Sequence, residues 1–278
     1  MNPANTYNVQ PTVYLIGETM PSKHQISRYL RDAGYDSKTV AHWDNLPAPT
    51  LNDLIEFMGR LCYASFDLSQ NDNLTRVRNK QEAYIENLLD SGHGSVLEHA
   101  EVNFVIRNCS RVLTHELVRH RVGTAISQES MRYVRTDAWN FVYPRSFLDE
   151  SIPIHVQREL VALSEQLLAN TKETLAKMTD LLQMETFTFN EKKRYTSALR
   201  RWIPNGVATQ IGWSANIRTL RHVINLRSSD AAEEEMRTVA DRIARLCFDR
   251  YPLLFKDFTY ESPEFHGDAP VWKGKFLA

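Results

Sequence analysis

The sequence predicts an α+β fold, with short strands early in the chain and long helices late. Residues 13–16 form a short apolar run that is followed by a glycine, which predicts a strand. In residues 101–107, Val102, Phe104 and Ile106 alternate with polar side chains, as expected for a half-buried strand. No regular alternation of strands and helices follows, so a parallel βαβ arrangement is not indicated.

Helical periodicity of the apolar residues predicts most of the other elements. The expected helices begin at Thr50, span residues 76–90, follow Pro153, span residues 190–201 with Asn190 as N-cap, span residues 214–226, and begin at Asp230. Asp53 lies three positions after Thr50, which suggests a capping box. Residues 139–143 suggest one more strand, and the tail over residues 261–278 is expected to lie over the surface.

Composition and charge narrow the function classes. The 278 residues are 42% hydrophobic and 24% charged, which is ordinary for a globular protein. The formal net charge is -1, whereas a protein that binds nucleic acid without sequence preference is usually clearly basic. Bulk charge therefore argues against nucleic-acid binding, although the arginines are locally clustered.

The cysteines and the N-terminal segment indicate the compartment. Cys62, Cys109 and Cys247 are odd in number and form no CxxC pair, which fits a reducing compartment better than a disulfide framework. The N-terminal residues lack the features of a signal peptide. No window approaches the roughly 18 apolar residues that a membrane span requires. We therefore expect a cytoplasmic protein without a membrane partner.

The densest group of functional side chains lies between residues 116 and 133. Arg119, His120 and Arg121 are consecutive, and Ser130 and Arg132 follow within a short distance. Guanidinium groups offer a rigid fork of donors that suits phosphate oxygens, and a nearby hydroxyl can bind the same anion. This segment predicts a site for a phosphorylated ligand; the alternative interpretation is a solvated basic turn that forms surface salt bridges.

A second cationic segment, residues 199–227, contains no Asp or Glu. Its arginines are Arg200, Arg201, Arg218, Arg221 and Arg227. On a helix, Arg218, Arg221 and His222 share one face. A solvated helix face would usually include acidic residues, so this segment predicts an anionic partner.

A third patch and several absent motifs complete the survey. His93, Glu98 and His99 could in principle bind a metal ion, but they do not form HExxH and a structural role is the commoner one. No GxGxxG, GxxxxGK[ST] or GxSxG motif occurs, so neither a Rossmann site, a P-loop nor a nucleophile elbow is indicated. None of the cysteines lies in a sequence context typical of a nucleophile.

Together these segments resemble the flavin-dependent thymidylate synthases. The family signature is Arg-His-Arg, seven or eight residues and a serine, which here is Arg119-His120-Arg121, eight residues, then Ser130. The family's upstream pattern is matched by His93, Ser95, Glu98 and His99. Its downstream pattern is matched by Asn216, Arg218, His222, Asn225, Leu226 and Arg227. The three matches occur in the family's order and span about residues 60–250.

The resemblance implies one domain over residues 1–278, with a mixed sheet, long helices and a non-Rossmann FAD site, in a homotetramer whose active sites lie between subunits. The residues expected to contact FAD are His93, Ser95, Glu98, Arg119, His120, Arg121, Asn216, Arg218 and His222. Those expected around the nucleotide are Glu116, Arg119, Gln128, Ser130, Met131, Arg132, Arg200 and Arg227, with Arg200 from a neighbouring subunit. Arg227 matches the catalytic arginine that polarises the uracil ring.

The implied reaction is reductive methylation of dUMP to dTMP. Methylenetetrahydrofolate would supply the carbon, FAD the hydride and NADPH the reducing equivalents, without a cysteine nucleophile. Two departures are notable: Glu116 replaces the Gln of many members, and the loop before Ser130 has its longer form.

Other functions stay open at this stage. Some relatives methylate UMP in nucleoside-antibiotic pathways. An RNA-binding protein would use the arginine clusters with aromatic side chains such as Tyr133, Trp202 and Trp213. A metal-dependent hydrolase would use His93 and His99.

Overall fold

A four-stranded sheet forms the centre of the protein. The computed structural model describes residues 9–133, 139–264, 268–275 and 277. The strands are β1 (Thr12–Glu18), β2 (Glu101–Ser110), β3 (Thr124–Gln128) and β4 (Ala208–Asn216), in the spatial order β1-β2-β4-β3. β1 and β2 are the two strands that the early apolar patterns predict, whereas β3 and β4 were not anticipated from periodicity.

Every strand pair of this sheet is antiparallel, so the α+β class is confirmed but the expectation of a mixed sheet is wrong. The backbone N–H of Thr19, just after β1, donates to the carbonyl of Glu101 at the start of β2, at 2.9 Å. The helical segment between the two strands therefore returns to the end of the sheet from which it departed. A parallel neighbour would require a crossover to the opposite end.

Helices surround the sheet. Their bounds are α1 (Lys23–Asp32), α2 (Ser37–Asp44), α3 (Leu51–Tyr63), α4 (Gln81–Asp90), α5 (Arg111–Leu117), α6 (Ile154–Leu181), α7 (Phe189–Leu199), α8 (Ile217–Arg227), α9 (Glu234–Arg250) and α10 (Pro252–Phe255). The predicted capping box at the start of α3 is confirmed: Asp53 Oδ2 accepts from the Thr50 N–H at 2.6 Å. A 3-10 turn, Gly94–His99, precedes β2, and a small hairpin pairs β5 (Thr259–Glu261) with β6 (Val271–Lys273).

Several predicted boundaries are wrong, and N-caps explain two of the differences. Helix α7 is capped by Thr188 in a capping box with Glu191, rather than by Asn190. Helix α9 begins four residues later than predicted, because Glu233 is its N-cap.

Three further predictions fail for different reasons. Helix α4 begins at Gln81 rather than at residue 76. Residues 214–216 complete β4 instead of starting a helix, so α8 begins at Ile217. Residues 139–143 form only an isolated bridge, Phe141 to Val207.

The main core lies against one face of the sheet. Val102, Phe104 and Ile106 of β2 are buried there beside Trp213 of β4, as the alternation in β2 predicts. Helices α8 and α9 cover this face with residues such as Leu220, Ile224, Val239 and Ile243. The sheet and these two helices thus share one buried core, which fixes their positions relative to each other.

The C-terminal tail packs into this core rather than only over it, in contrast to the expected surface tail. Val271 and Trp272 are buried, and so is Leu277. The Trp272 N–H donates to Ser228 Oγ at 2.9 Å, which joins β6 to the end of α8. The buried residues of the tail show no recognisable periodic pattern in the sequence, because the tail is too short for one.

The longest helix, α6, keeps most of its apolar side chains exposed. Among its residues only Leu168 is buried. Exposed apolar side chains on the same helix are Ile154, Val156, Leu163, Leu167 and Leu181. Within the described ranges no helix combines the length and apolar character needed to cross a bilayer.

A buried carboxyl group at the start of α9 makes stability depend on pH. Glu235 Oε1 accepts from the Ser110 N–H at 2.7 Å, and its other oxygen bonds the Ser110 hydroxyl. Burial raises the pKa of Glu235 to about 7 from 4.5. The folded protein therefore retains a proton that the unfolded chain loses, and stability falls as pH rises from 4.5 to 7.

We expect Glu235→Gln to remove this loss, because the amide can keep the hydrogen bonds to Ser110 without ionising. At pH 8 the variant should exceed the wild-type free energy of unfolding by on the order of 2 kcal/mol, and at pH 4 the two should be similar. Urea denaturation at both pH values measures the difference, with the exposed Glu173→Gln as control. An equal difference at both pH values would contradict the role of this carboxyl group.

Candidate active site

A cleft lies between the loop after α5, helix α8 and the C-terminal tail, and its volume is about 440 Å³. Its charged and imidazole side chains are Glu98, Arg119, His120, Arg121, Arg218, Arg221, His222 and Lys275. The other lining residues are Val122, Thr219, Asn225 and Leu277. Cationic donors outnumber carboxylates in this lining, so the cleft suits an anionic ligand.

The loop that contains Arg119, His120 and Arg121 is clamped onto the start of α8. The Asn216 N–H donates to the carbonyl of Gly123 at 3.0 Å, and Thr219 Oγ1 donates to the carbonyl of Val122 at 2.9 Å. Gly123 has a φ of +65°, and a Cβ there would lie 2.2 Å from Asn216 Nδ2. Only glycine permits both this conformation and this approach. The clamp therefore sets where the arginines project.

Arg227, at the end of α8, binds two side chains, one on α5 and one in the loop that follows α5. Its Nε donates to His120 Nε2 at 2.7 Å, and its Nη1 donates to Glu116 Oε2 at 2.8 Å. The side chain of Arg227 is only 17% exposed. Two partners on different nitrogens of one planar guanidinium fix its plane and direction.

His120 is held in its neutral form. Burial, and then the electrostatic effects of Arg227 and of the nearby His222, lower the pKa of His120 to about 4. A guanidinium can only donate, so His120 Nε2 must be the acceptor and its proton lies on Nδ1. At neutral pH this imidazole is therefore an uncharged support for Arg227.

The cleft brings together six of the nine residues predicted to contact FAD: Glu98, Arg119, His120, Arg121, Arg218 and His222. At its mouth Arg218 Nη1 binds Glu98 Oε1 at 2.5 Å. The other three do not line the cleft, although Asn216 lies next to it at the start of α8. His93 stacks on Tyr63, Ser95 is exposed on the 3-10 turn, and Asn216 caps α8 by accepting from the Thr219 N–H at 2.8 Å.

The residues predicted around the nucleotide are only partly assembled. Arg119 lines the cleft, and Glu116 and Arg227 meet next to it through their contacts with each other and with His120. Gln128 Nε2 donates at 3.1 Å to Oγ1 of Thr114, which lies on α5, the helix that contains Glu116.

The remaining four lie outside the described lining of the cleft. Ser130 Oγ accepts from the Arg132 N–H at 3.4 Å, and the Arg132 guanidinium lies 5.9 Å from the ring of Tyr133. Met131 packs against the apolar cluster of Trp139, Leu168 and Val207. Arg200 is exposed after α7.

Arg221 borders the cleft, but its buried guanidinium is not free to bind an anion as the helical spacing predicts. Its side chain is 3% exposed and forms a bidentate salt bridge with Asp257, with N–O distances of 2.8 and 2.6 Å. Because Asp257 lies 36 residues away, no local sequence signal could indicate this partner. Sequence reasoning also missed Lys275 and Leu277, which reach the cleft from the tail.

The histidines of the third patch show no metal-binding geometry. Among the described residues, no group of three or more His, Cys, Asp or Glu side chains lies close enough to hold a metal ion. His93 instead lies against Tyr63, whose hydroxyl is 3.4 Å from its ring nitrogens.

Comparison with known proteins agrees with the motif match. A family model described as thymidylate synthase complementing protein matches residues 45–253. A flavin-dependent thymidylate synthase of Mycobacterium avium is 35% identical over 205 residues, which cover 74% of this chain and 78% of that protein. One of Corynebacterium glutamicum is 36% identical over 211 residues, 75% and 80% of the two chains.

The chain belongs to the flavin-dependent thymidylate synthase family. The resemblance seen in the sequence is thereby confirmed, and the protein is an enzyme of a methyltransferase family rather than an RNA-binding protein or a metal-dependent hydrolase. The matched region includes every predicted site residue. Strand β1, helices α1 and α2 and the C-terminal tail lie outside it.

Proposed function

We propose that this enzyme converts dUMP to dTMP, with methylenetetrahydrofolate as carbon donor, FAD as hydride carrier and NADPH as reductant. The observation that supports this most is the fixed guanidinium of Arg227, held by Glu116 and His120 next to a cationic cleft. Family membership supports a flavin and a uridine nucleotide as the molecules that bind there.

The cleft residues fit a flavin nucleotide. Its volume of about 440 Å³ lies within the roughly 300–1,000 Å³ of small-molecule sites. Arg119, Arg121 and Arg218 offer forked donors for phosphate oxygens, and His120 and His222 offer ring edges. When bound, the flavin supplies the hydride that completes the methyl group.

In this proposal Arg227 acts on the uracil ring by charge and orientation. A guanidinium does not release its proton at any physiological pH, so it stabilises negative charge that develops on the ring without transferring a proton. Neutral His120 accepts from Nε and Glu116 accepts from Nη1, which leaves Nη2 as the donor without a partner in this pair of contacts. That donor is the group we assign to the nucleotide.

The cysteines support a reaction without a thiol nucleophile. Burial raises the pKa of the Cys109 thiol to about 12 and also raises that of Cys247. Cys62 is exposed on α3 and does not line the described cleft. Thiolate is the reactive form of cysteine, so the two buried thiols are unreactive at neutral pH.

We propose that the enzyme is a homotetramer with active sites shared between subunits. The exposed apolar side chains of α6, among them Leu163 and Leu167, support an intersubunit surface. Arg200 is exposed outside the cleft of its own chain, which supports its assignment to the nucleotide site of a neighbour. His93 and Ser95 would contribute to FAD binding in the same way.

An activity assay tests the proposed function. FAD-loaded protein is supplied with methylenetetrahydrofolate and NADPH, with dUMP and UMP in parallel, and the methylated product is measured by mass spectrometry. We expect product from dUMP only. Product from UMP would instead indicate the nucleoside-antibiotic relatives, and no product from either nucleotide in flavin-loaded protein would overturn the proposal.

A further inference from the structure

The C-terminal tail is anchored by the buried ion pair of Arg221 and Asp257. Arg221 Nη2 donates to the carbonyl of Lys275 at 3.4 Å, and the Lys275 N–H donates to Asp257 Oδ2 at 2.9 Å. Both backbone groups of Lys275 are therefore bound by one ion pair whose cation is almost completely buried. A buried pair of this kind has few alternative partners, so it defines the backbone position.

A second anchor lies one residue earlier. Asn225 Nδ2 donates to the carbonyl of Gly274 at 3.1 Å, and the Gly274 N–H donates to Asn225 Oδ1 at 3.3 Å. A Cβ on Gly274 would lie 2.2 Å from the ring of Phe258, so the backbone passes too close for any other residue. Leu277 is buried in the main core. The tail is thus held on both sides of Lys275.

This anchoring places Lys275 in the wall of the cationic cleft. Its ammonium group binds Asp90 at 2.5 Å, but both side chains are more than half exposed, at 55% and 58%. Exposed pairs of this type contribute about 0–1 kcal/mol, so an anionic ligand can displace Asp90 at little cost. Lys275 therefore has a fixed backbone, an exposed cationic end group and a weakly bound partner.

We propose that Lys275 is a cofactor-binding residue whose ammonium group pairs with a phosphate of the bound flavin nucleotide, and that Arg221 and Asp257 are the pair that positions it. This inference rests on the proposed function, because it takes FAD as the ligand of the cleft. It assigns a role to the tail, which lies beyond the region matched by the family model, residues 45–253.

The test compares ligands that differ in phosphate content. Dissociation constants of FAD, riboflavin and dUMP are measured by flavin fluorescence or calorimetry for wild type and Lys275→Ala. We expect FAD to bind about 3- to 10-fold more weakly to the variant, as one exposed charge-assisted contact is lost. Riboflavin and dUMP should bind with unchanged affinity, and added salt should reduce the difference between the two proteins for FAD.

Two further variants make the result specific. Lys273→Ala removes an equally exposed lysine from the same tail, paired with Glu261 and not in the described lining of the cleft, and should leave FAD affinity unchanged. Lys275→Arg keeps the positive charge and should retain most of the wild-type affinity for FAD. Equal FAD affinity of Lys275→Ala and wild type, or a loss for dUMP alone, would overturn the inference and leave the proposed function intact. Wild-type protein that binds no FAD would overturn both.

Discussion

Replacing Arg227 with alanine is expected to nearly abolish methyl transfer while FAD stays bound. The guanidinium is 17% exposed and is held by His120 and Glu116, so its direction is set before the nucleotide arrives. Removing one preorganised donor from developing charge typically lowers kcat by about 100- to 1,000-fold. Because Arg227 does not line the described cleft, FAD affinity should change little.

Single-turnover kinetics and FAD titration on the same preparation separate these two effects. Arg227→Lys should recover only part of the rate, since the three donors of an ammonium group lie on one nitrogen and do not reproduce the planar fork that reaches Glu116, His120 and the ring. Arg28→Ala, an exposed arginine of α1 paired with Asp32, is the control and should be fully active. Turnover at the wild-type rate in Arg227→Ala would exclude the assigned role.

Replacing Asp257 with alanine should lower the free energy of unfolding more than replacing an exposed residue does. Arg221 is 3% exposed, and Asp257 is its carboxylate partner. A buried guanidinium left without its counter-ion typically lowers the free energy of unfolding by about 3–5 kcal/mol. Its contacts with the rings of Phe258 and Phe255, at 4.8 and 5.9 Å, compensate only partly. Urea denaturation, analysed for both midpoint and slope, measures the loss.

A double replacement distinguishes the unpaired charge from lost packing. Arg221→Met combined with Asp257→Leu removes both charges and should be more stable than Asp257→Ala alone, because neither buried charge remains. Arg28→Ala, which breaks a pair on α1 with both side chains exposed, should change stability by less than about 1 kcal/mol. A loss of similar size in Arg28→Ala and Asp257→Ala would show that burial of the pair is unimportant.

The same pair predicts the sign of the acid response. Burial alone would raise the pKa of Asp257, but the hydrogen bonds and charge of Arg221 outweigh it and hold the pKa below its ordinary value. A carboxyl group with a lowered folded-state pKa contributes stability that is present above the unfolded value and is lost as pH falls through the folded one. Wild type should lose this contribution below about pH 4, whereas the double replacement should not.

Local pattern was sufficient for those elements in which one face is buried or one end is capped within a few residues. The alternation of Val102, Phe104 and Ile106 identified β2, and Thr50 with Asp53 identified the start of α3. Both signals depend on neighbours along the chain. The same reasoning failed at residues 214–216, because Asn216 is at once the last residue of β4 and the N-cap of α8.

The arginines show why a local charge count misleads. Residues 199–227 contain no acidic side chain, which suggests an external anion. In the folded protein Arg218 binds Glu98, Arg221 binds Asp257 and Arg227 binds Glu116. Each acid lies on a different segment of the chain, so part of the expected anionic partner is the protein itself.

The order and spacing of the motif residues identify the family and its signature loop, because these depend only on which side chains follow one another. Which arginine faces the cleft and which supports the tail depends on how α8 packs against α9, the 3-10 turn and β6. Helical spacing places Arg218, Arg221 and His222 on one face, but only packing against Asp257 turns Arg221 inward. Lys275 reaches the same cleft because its segment is anchored to that buried pair, a contact between residues far apart in the chain.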